Sequence, residues 1–246
     1  VDINLIIFGL LTGFSSGFFG IGGGSILIPL LLLANYGMKE AVSISIMQMV
    51  FSSIYGSYLN FQKIKNFLRD GIILGIGSSF GGLTSGYFLP KIPDIYLQYL
   101  FIAVLFYTIY TLFKAPASTQ IVAPRKNVIT LIFIGYLVGI FAMSIGIGGS
   151  LILLPILVGF LKYDLKVATA LGLFFVIFSS FGGFISTSLF GNMLFYEGLI
   201  IGVGSLIGVY FGIKIKEKTK STSYKNFVLI LNLLVLIVTI YKTFFD

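Results

Sequence analysis

Two short stretches of this chain carry residue types from which a binding site can be built. The first reads Gly20-Ile21-Gly22-Gly23-Gly24-Ser25-Ile26-Leu27-Ile28-Pro29, and the second Gly146-Ile147-Gly148-Gly149-Ser150-Leu151-Ile152-Leu153-Leu154-Pro155. Consecutive glycines interrupt a helix because they tolerate backbone angles that other residues avoid. The proline that follows suits the opening turn of a new helix, where fewer backbone donors are needed. A half-helix beginning near Ser25, and another near Ser150, would each offer unpaired N–H groups and a positive dipole end. Two such ends suit an anion, and the missing side chains give an oxyanion access to the backbone. The expected ligand-facing residues are Gly22, Gly23, Gly24, Ser25, Gly148, Gly149 and Ser150. Gly20, Pro29, Gly146 and Pro155 are expected to make the helix breaks.

Side-chain donors come from two further apolar runs. Ser43, Ser45, Gln48, Ser52 and Ser53 lie in one, and Thr169, Ser179 and Ser180 in the other. A membrane-buried serine commonly bonds its own helix, so most of these are read as structural. Gln48 is the strongest case, because a buried amide needs partners and can donate to an oxyanion. Ser45, three residues earlier, shares its helix face. Isolated glycines such as Gly9, Gly13, Gly71, Gly75, Gly202 and Gly208 are read as close-packing positions.

These groups must be positioned by membrane helices. Of 246 residues, 57% are hydrophobic and only 10% charged. Apolar runs fill 5–33, 41–61, 71–89, 94–113, 127–160, 167–190, 198–213 and 225–241, and a spanning helix needs about 20 such residues. None alternates as the strands of a membrane barrel do. The excess of basic residues sits in short connections, so it is not a nucleic-acid footprint. With no cysteine and no histidine, thiolate metal sites, disulfides and the usual hydrolase chemistries have no residues to use. No Asp, Glu, Lys or Arg is expected deep in a segment, so neither a catalytic group nor a proton relay is visible. No cofactor or metal is expected. The start, Val1-Asp2-Ile3-Asn4, lacks the features of a secretory signal and is read as the first membrane element.

The chain also repeats itself. At a shift of 126, Gly9, Leu11, Gly13, Gly20, Ile21, Gly22, Gly23, Ile26, Leu27, Pro29 and Leu31 recur as Gly135, Leu137, Gly139, Gly146, Ile147, Gly148, Gly149, Ile152, Leu153, Pro155 and Leu157. At 127, Phe51-Ser52-Ser53 meets Phe178-Ser179-Ser180, and Asp70-Gly71 meets Glu197-Gly198. The organisation expected is a first repeat at 1–113, a linker at 114–126 and a second repeat at 127–246. Internal repeats of this kind are a usual ground plan of secondary transporters.

The lysines set the expected orientation. If all eight runs cross the membrane, basic residues divide almost evenly between its sides. If the first and fifth runs turn at their glycines and leave by the side they entered, thirteen fall together and only Lys39, Lys91 and Lys242 lie opposite. That is the bias expected of cytoplasmic loops. The fold expected is therefore an all-α polytopic membrane protein with two inverted repeats. Each is a glycine-broken, re-entrant hairpin plus three spanning helices, and both termini lie outside the cytoplasm.

The run from Gly17 to Pro29, its degenerate copy ending at Pro155, and the following Lys39-Glu40-Ala41 and Lys166-Val167-Ala168 resemble the TauE/SafE family of sulfite and organosulfonate transporters. The resemblance implies a cell-membrane permease for small sulfur-containing anions. The family's glycine motifs fall on Gly22, Gly23, Gly24 and Pro29, and on Gly148, Gly149 and Pro155. The second copy departs from the first with Ser150 for the third glycine and Met143 for Gly17. The expectation is an alternating-access anion transporter, with an anion-selective channel as the rival reading. Its partners would be the substrate anion and the lipid bilayer, with no nucleic acid and with a monomer or homodimer as the assembly. The sequence identifies no coupling ion.

Overall fold

The chain's computed structural model describes residues 3–114, 127–161, 163–219 and 221–244. All but the first residue of the expected linker lies outside them. The described residues form helices and connections, with no strand. In order they are α1 (Ile3–Phe19), α2 (Gly24–Leu33), α3 (Met38–Leu59), the short α4 (Phe61–Ile64), α5 (Leu68–Phe88), α6 (Asp94–Lys114), α7 (Val128–Ser144), α8 (Ser150–Pro155, continued by a π-turn at Ile156–Phe160), α9 (Leu165–Phe190), α10 (Phe195–Lys218) and α11 (Ser221–Phe244). Six helical stretches are long and apolar enough to cross a membrane: Met38–Leu59, Phe61–Lys91, Asp94–Lys114, Leu165–Phe190, Phe195–Lys218 and Ser223–Phe244.

Burial explains how they are arranged. On α6 the buried residues are Leu97, Phe101, Leu105, Thr108 and Leu112, a single stripe at helical spacing. Phe106, Tyr107, Tyr110 and Phe113 of the same helix are exposed, as suits a helix with lipid on its outer face. α11 is its counterpart, with Ile230, Leu233, Leu234 and Ile237 outward. By contrast α3 and α9 are buried through most of their length and form the centre.

Small residues let the remaining helices close in. Gly9, Gly13 and Gly17 of α1 abut, in turn, Ile201 with Gly204, Ser205 and Val209 of α10, backbone against backbone. A Cβ at any of them would collide with the neighbouring main chain, which is the small-residue packing used between membrane helices. Gly77 and Gly81 of α5 meet Ile132 and Tyr136 of α7 in the same way. Gly75 takes the ring of Phe178, and Gly202 that of Phe51.

These contacts also set helix direction. Rising numbers in α1 meet rising numbers in α10, and the same holds for α3 with α10, α5 with α7, and α5 with α9. In contrast Gly56 of α3 lies against Leu173, and Gly183 of α9 against Ile46, so α3 and α9 run in opposite directions. Because α1 and α3 point the same way, α2 carries the chain back between them. Asn4, Leu5 and Phe8 accordingly share one cavity with Ala34 and Tyr36, beyond the end of α2.

Polar contacts gather at the two ends of the bundle. At one end Lys39 lies 3.7 Å from Asp94 and donates to the Pro90 carbonyl, while Lys242 donates to Asn35 at 3.2 Å. At the other, Lys63 pairs with Glu217 at 2.9 Å, Lys166 donates to the Thr219 carbonyl and Lys225 to that of Phe113. Tyr163 also donates to Asp70 there, at 3.0 Å. Burial, and then the Asp70 charge, hold its hydroxyl well above the usual tyrosine range, so it remains a donor.

Candidate functional site

α1 ends because Gly20 takes a left-handed backbone, and the chain reverses through Gly22 and Gly23, with φ 82° and 84°. α7 ends in the same way at Gly146, with Gly148 and Gly149 at φ 79° and 85°. Each last glycine caps the next helix without a side-chain bond. A side chain at Gly23 or Gly149 would be strained by its backbone and would also collide, with Gln48 and the Thr12 carbonyl in one case and with Phe175 in the other. The prolines do not open these helices. Pro29 and Pro155 lie inside the new helices, each leaving the carbonyl four residues earlier without its helical donor. Thr108 reaches the Leu151 carbonyl at 3.3 Å.

The two reversals meet. Ser45 donates to the Gly146 carbonyl at 2.7 Å, and Gly24 packs on that same carbonyl. Gly172 faces Ser150 and the Gly20 carbonyl. Met49 and Val176 lie against both Gly22 and Gly148. Ser52 holds the Gly22 carbonyl at 3.4 Å, and Ser179 holds that of Gly148 at 3.0 Å. All the candidate residues named from sequence therefore lie in one buried cluster: Gly22, Gly23, Gly24, Ser25, Ser45, Gln48, Gly148, Gly149 and Ser150.

Many polar groups in the cluster lack a partner. Among the described residues, the backbone N–H groups from Ile21 to Ser25 and from Gly148 to Ile152 have no backbone acceptor. Both polar atoms of the Gln48 amide are fully buried and unpaired, as are the hydroxyls of Ser16, Ser25 and Ser150. Orphaned buried donors are costly, about 1–3 kcal/mol each, and native interiors pair nearly all of them. Their concentration at the two reversals makes this cluster the candidate binding site. Ser45 stands apart, since its hydroxyl is already committed to Gly146.

One residue corrects the sequence reading. Lys216, expected in a polar loop, belongs to α10 and is only 1% exposed. It continues the buried stripe of Gly198, Gly202, Ser205, Gly208 and Gly212, so its helical spacing was the available signal. Its ammonium donates to the Thr169 hydroxyl at 2.7 Å, and Thr169 packs on Gly20. Below it, Tyr224 donates to the Phe19 carbonyl at 3.0 Å.

Six apolar spans around two glycine-broken hairpins that meet in a buried, donor-rich centre define the architecture of a membrane transporter. The comparison with known families agrees: residues 5–239 match the profile described as Sulfite exporter TauE/SafE. The chain belongs to that family and is a multi-pass membrane transporter, not an enzyme. It is 23% identical over 265 residues to the "Probable membrane transporter protein YunE" of Bacillus subtilis (strain 168), covering 96% of this chain and 95% of that protein. The "Probable membrane transporter protein YdhB" of the same organism is 26% identical over 222 residues, 86% of this chain and 88% of its own length. A shorter match, 45% over 74 residues, joins it to the "Probable membrane transporter protein MJ0441" of Methanocaldococcus jannaschii and covers 29% of this chain and 26% of that protein.

Proposed function

We propose that the chain carries small sulfur-containing oxyanions, sulfite or an organosulfonate, by alternating access, with the anion held between the two glycine reversals. The observation that carries this reading is the set of backbone N–H groups without a backbone acceptor around the buried, unpaired Gln48 amide. A sulfonate or sulfite offers several strong acceptor oxygens and no bulky group at the charged end, so it can approach glycine backbone closely. The dipole ends of α2 and α8 favour the same charge.

The halves are read as inverted repeats. Supporting this, α1, α3 and α10 point one way and α5, α7 and α9 the other, while the repeat pairs α1 with α7, α3 with α9 and α5 with α10. The end bearing Lys63, Lys166 and Lys225 is the cytoplasmic one by the positive-inside rule. Rocking of one half against the other would open the reversals to each side in turn.

A thermal-shift screen of the purified protein tests the substrate class. Sulfite, thiosulfate or sulfoacetate should raise the melting temperature in proportion to ligand concentration over dissociation constant. A response to cationic or neutral solutes alone would overturn the anion reading. For orientation, single cysteines at Lys65 and Lys218 should both resist an impermeant thiol reagent until cells are opened; labelling of only one in intact cells would contradict inversion.

A further inference from the structure

The buried lysine of α10 has no part in the central cluster. Its ammonium is almost fully enclosed, yet its only hydrogen-bond partner among the described residues is the neutral hydroxyl of Thr169. Three N–H donors are available to it, so two remain unused. The carboxylates near it are committed elsewhere. Glu217 pairs with Lys63 at 2.9 Å, and Asp164 accepts from the Lys166 and Val167 N–H groups at the start of α9. Lys63 and Lys166 add positive charge to the same neighbourhood. The ammonium also lies 5.8 Å from the centre of the Tyr224 ring, but no carboxylate among the described residues is bonded to it. A buried charge without a counter-ion is expensive, and an arriving anion would balance it.

The repeat sharpens the argument. At the shift of 127, Lys216, Thr169 and Tyr224 correspond to Leu89, Val42 and Leu97. Val42 packs on Gly146 as Thr169 packs on Gly20, so the two places are built alike. Only the one beside the first reversal, at the lysine-rich end, has a cation and hydroxyls where the other has three apolar side chains. Packing alone is served by the apolar version.

Resting on the anion reading, we propose that Lys216 and Thr169 form a second anion subsite, beside Gly20 on the lysine-rich side, which receives the oxyanion as it enters or leaves the central cluster. Lys216 contacts the anion directly with its free N–H groups, and Thr169 orients it. This makes the transport path chemically one-sided: an anion is met by Lys216 and Thr169 on one side of the centre and by Leu89 and Val42 on the other.

The test compares wild type with Lys216→Met, Lys216→Arg and Thr169→Val, using thiosulfate and sulfite as probes. Thermal-shift titration should show the Lys216→Met midpoint moved to at least about tenfold higher anion concentration, with Lys216→Arg recovering most of the loss. Flux measured in right-side-out and inverted membrane vesicles should show a raised KM only when the anion is presented to the lysine-rich face. Thr169→Val, which keeps the lysine, should raise that same KM less and supplies the test should Lys216→Met not fold. A midpoint and KM unchanged in folded Lys216→Met, or a KM raised equally from both faces, overturns the subsite and leaves the central reading standing. A wild type unmoved by every oxyanion removes both.

Discussion

The two glycine reversals share a backbone and differ in what surrounds it. Both use left-handed glycines in the same order, and both have a serine holding the middle carbonyl, Ser52 on Gly22 and Ser179 on Gly148. Around the first stand Thr12, Ser16, Ser25 and Gln48. At the corresponding positions around the second stand Val138, Ala142, Leu151 and Phe175. Gln48 faces Gly23 where Phe175 faces Gly149. The hydroxyl is exchanged across the interface too, since Ser45 and Gly24 on one side answer to Gly172 and Ser150 on the other. The two helix ends are thus alike in backbone, while the unpaired polar side chains gather mostly at one. In the proposed site, the first reversal is the recognising half, and the second supplies shape, dipole and a tight wall.

Breaking the contact between the reversals should have the largest effect. A Cβ on Gly24 would run into the Gly146 carbonyl, so Gly24→Ala must push the two hairpins apart. Overpacking of this kind costs about 1–3 kcal/mol. A clear fall in melting temperature is expected, together with loss of nearly all vesicle flux; wild-type flux would show that the reversals need not touch. Gly23→Leu adds backbone strain to a collision with Gln48 and should abolish flux as well.

Next comes the asymmetry itself. Gln48→Leu removes the amide at nearly constant volume. A hydrogen bond to a charged group is worth about 1.5–3 kcal/mol, so anion affinity should fall roughly ten- to hundredfold in a titration. The unliganded protein should melt higher, because an orphaned amide has gone. Phe175→Leu should change affinity by less than about threefold and instead lower stability by the 1–3 kcal/mol or so typical of a reduced core ring. Equal affinity losses in the two variants would mean the reversals share recognition.

The smallest effects should be symmetric. Ser52→Ala and Ser179→Ala each remove one hydroxyl-to-carbonyl bond, worth about 1 kcal/mol of stability. Their melting curves should shift by similar amounts, with affinity little changed. A strong affinity loss in one alone would place a recognising hydroxyl outside the present account.

Much of this was legible in the sequence because it rests on glycine. Runs of glycine locate a helix break directly, and the expected starts near Ser25 and Ser150 fall within a residue of the observed Gly24 and Ser150. Gln48 was legible as a mid-segment amide that needs partners, and the structure leaves both its polar atoms buried and unpaired. The prolines misled, because proline is as compatible with a helix interior whose freed carbonyl finds another donor as with an opening turn. Lys216 was missed because a lysine among lysines reads as a loop, and only the buried stripe of α10 shows which one turns inward. The unequal surroundings of the reversals depend on α1 and α7 as well as α3 and α9. Which of their residues face a glycine follows from helix packing, which spacing within one segment does not reveal.

The central claim is that the anion sits at the first reversal, and a structure with a heavier analogue tests it most directly. Selenite presents the same pyramidal oxygen set as sulfite and scatters anomalously. Crystals grown with it should show one strong anomalous peak whose oxygens lie about 3 Å from the N–H groups between Gly22 and Ser25 and from the Gln48 amide. A peak confined to the Gly149 and Phe175 side, or none in the cluster while selenite still stabilises the protein in solution, would contradict the account.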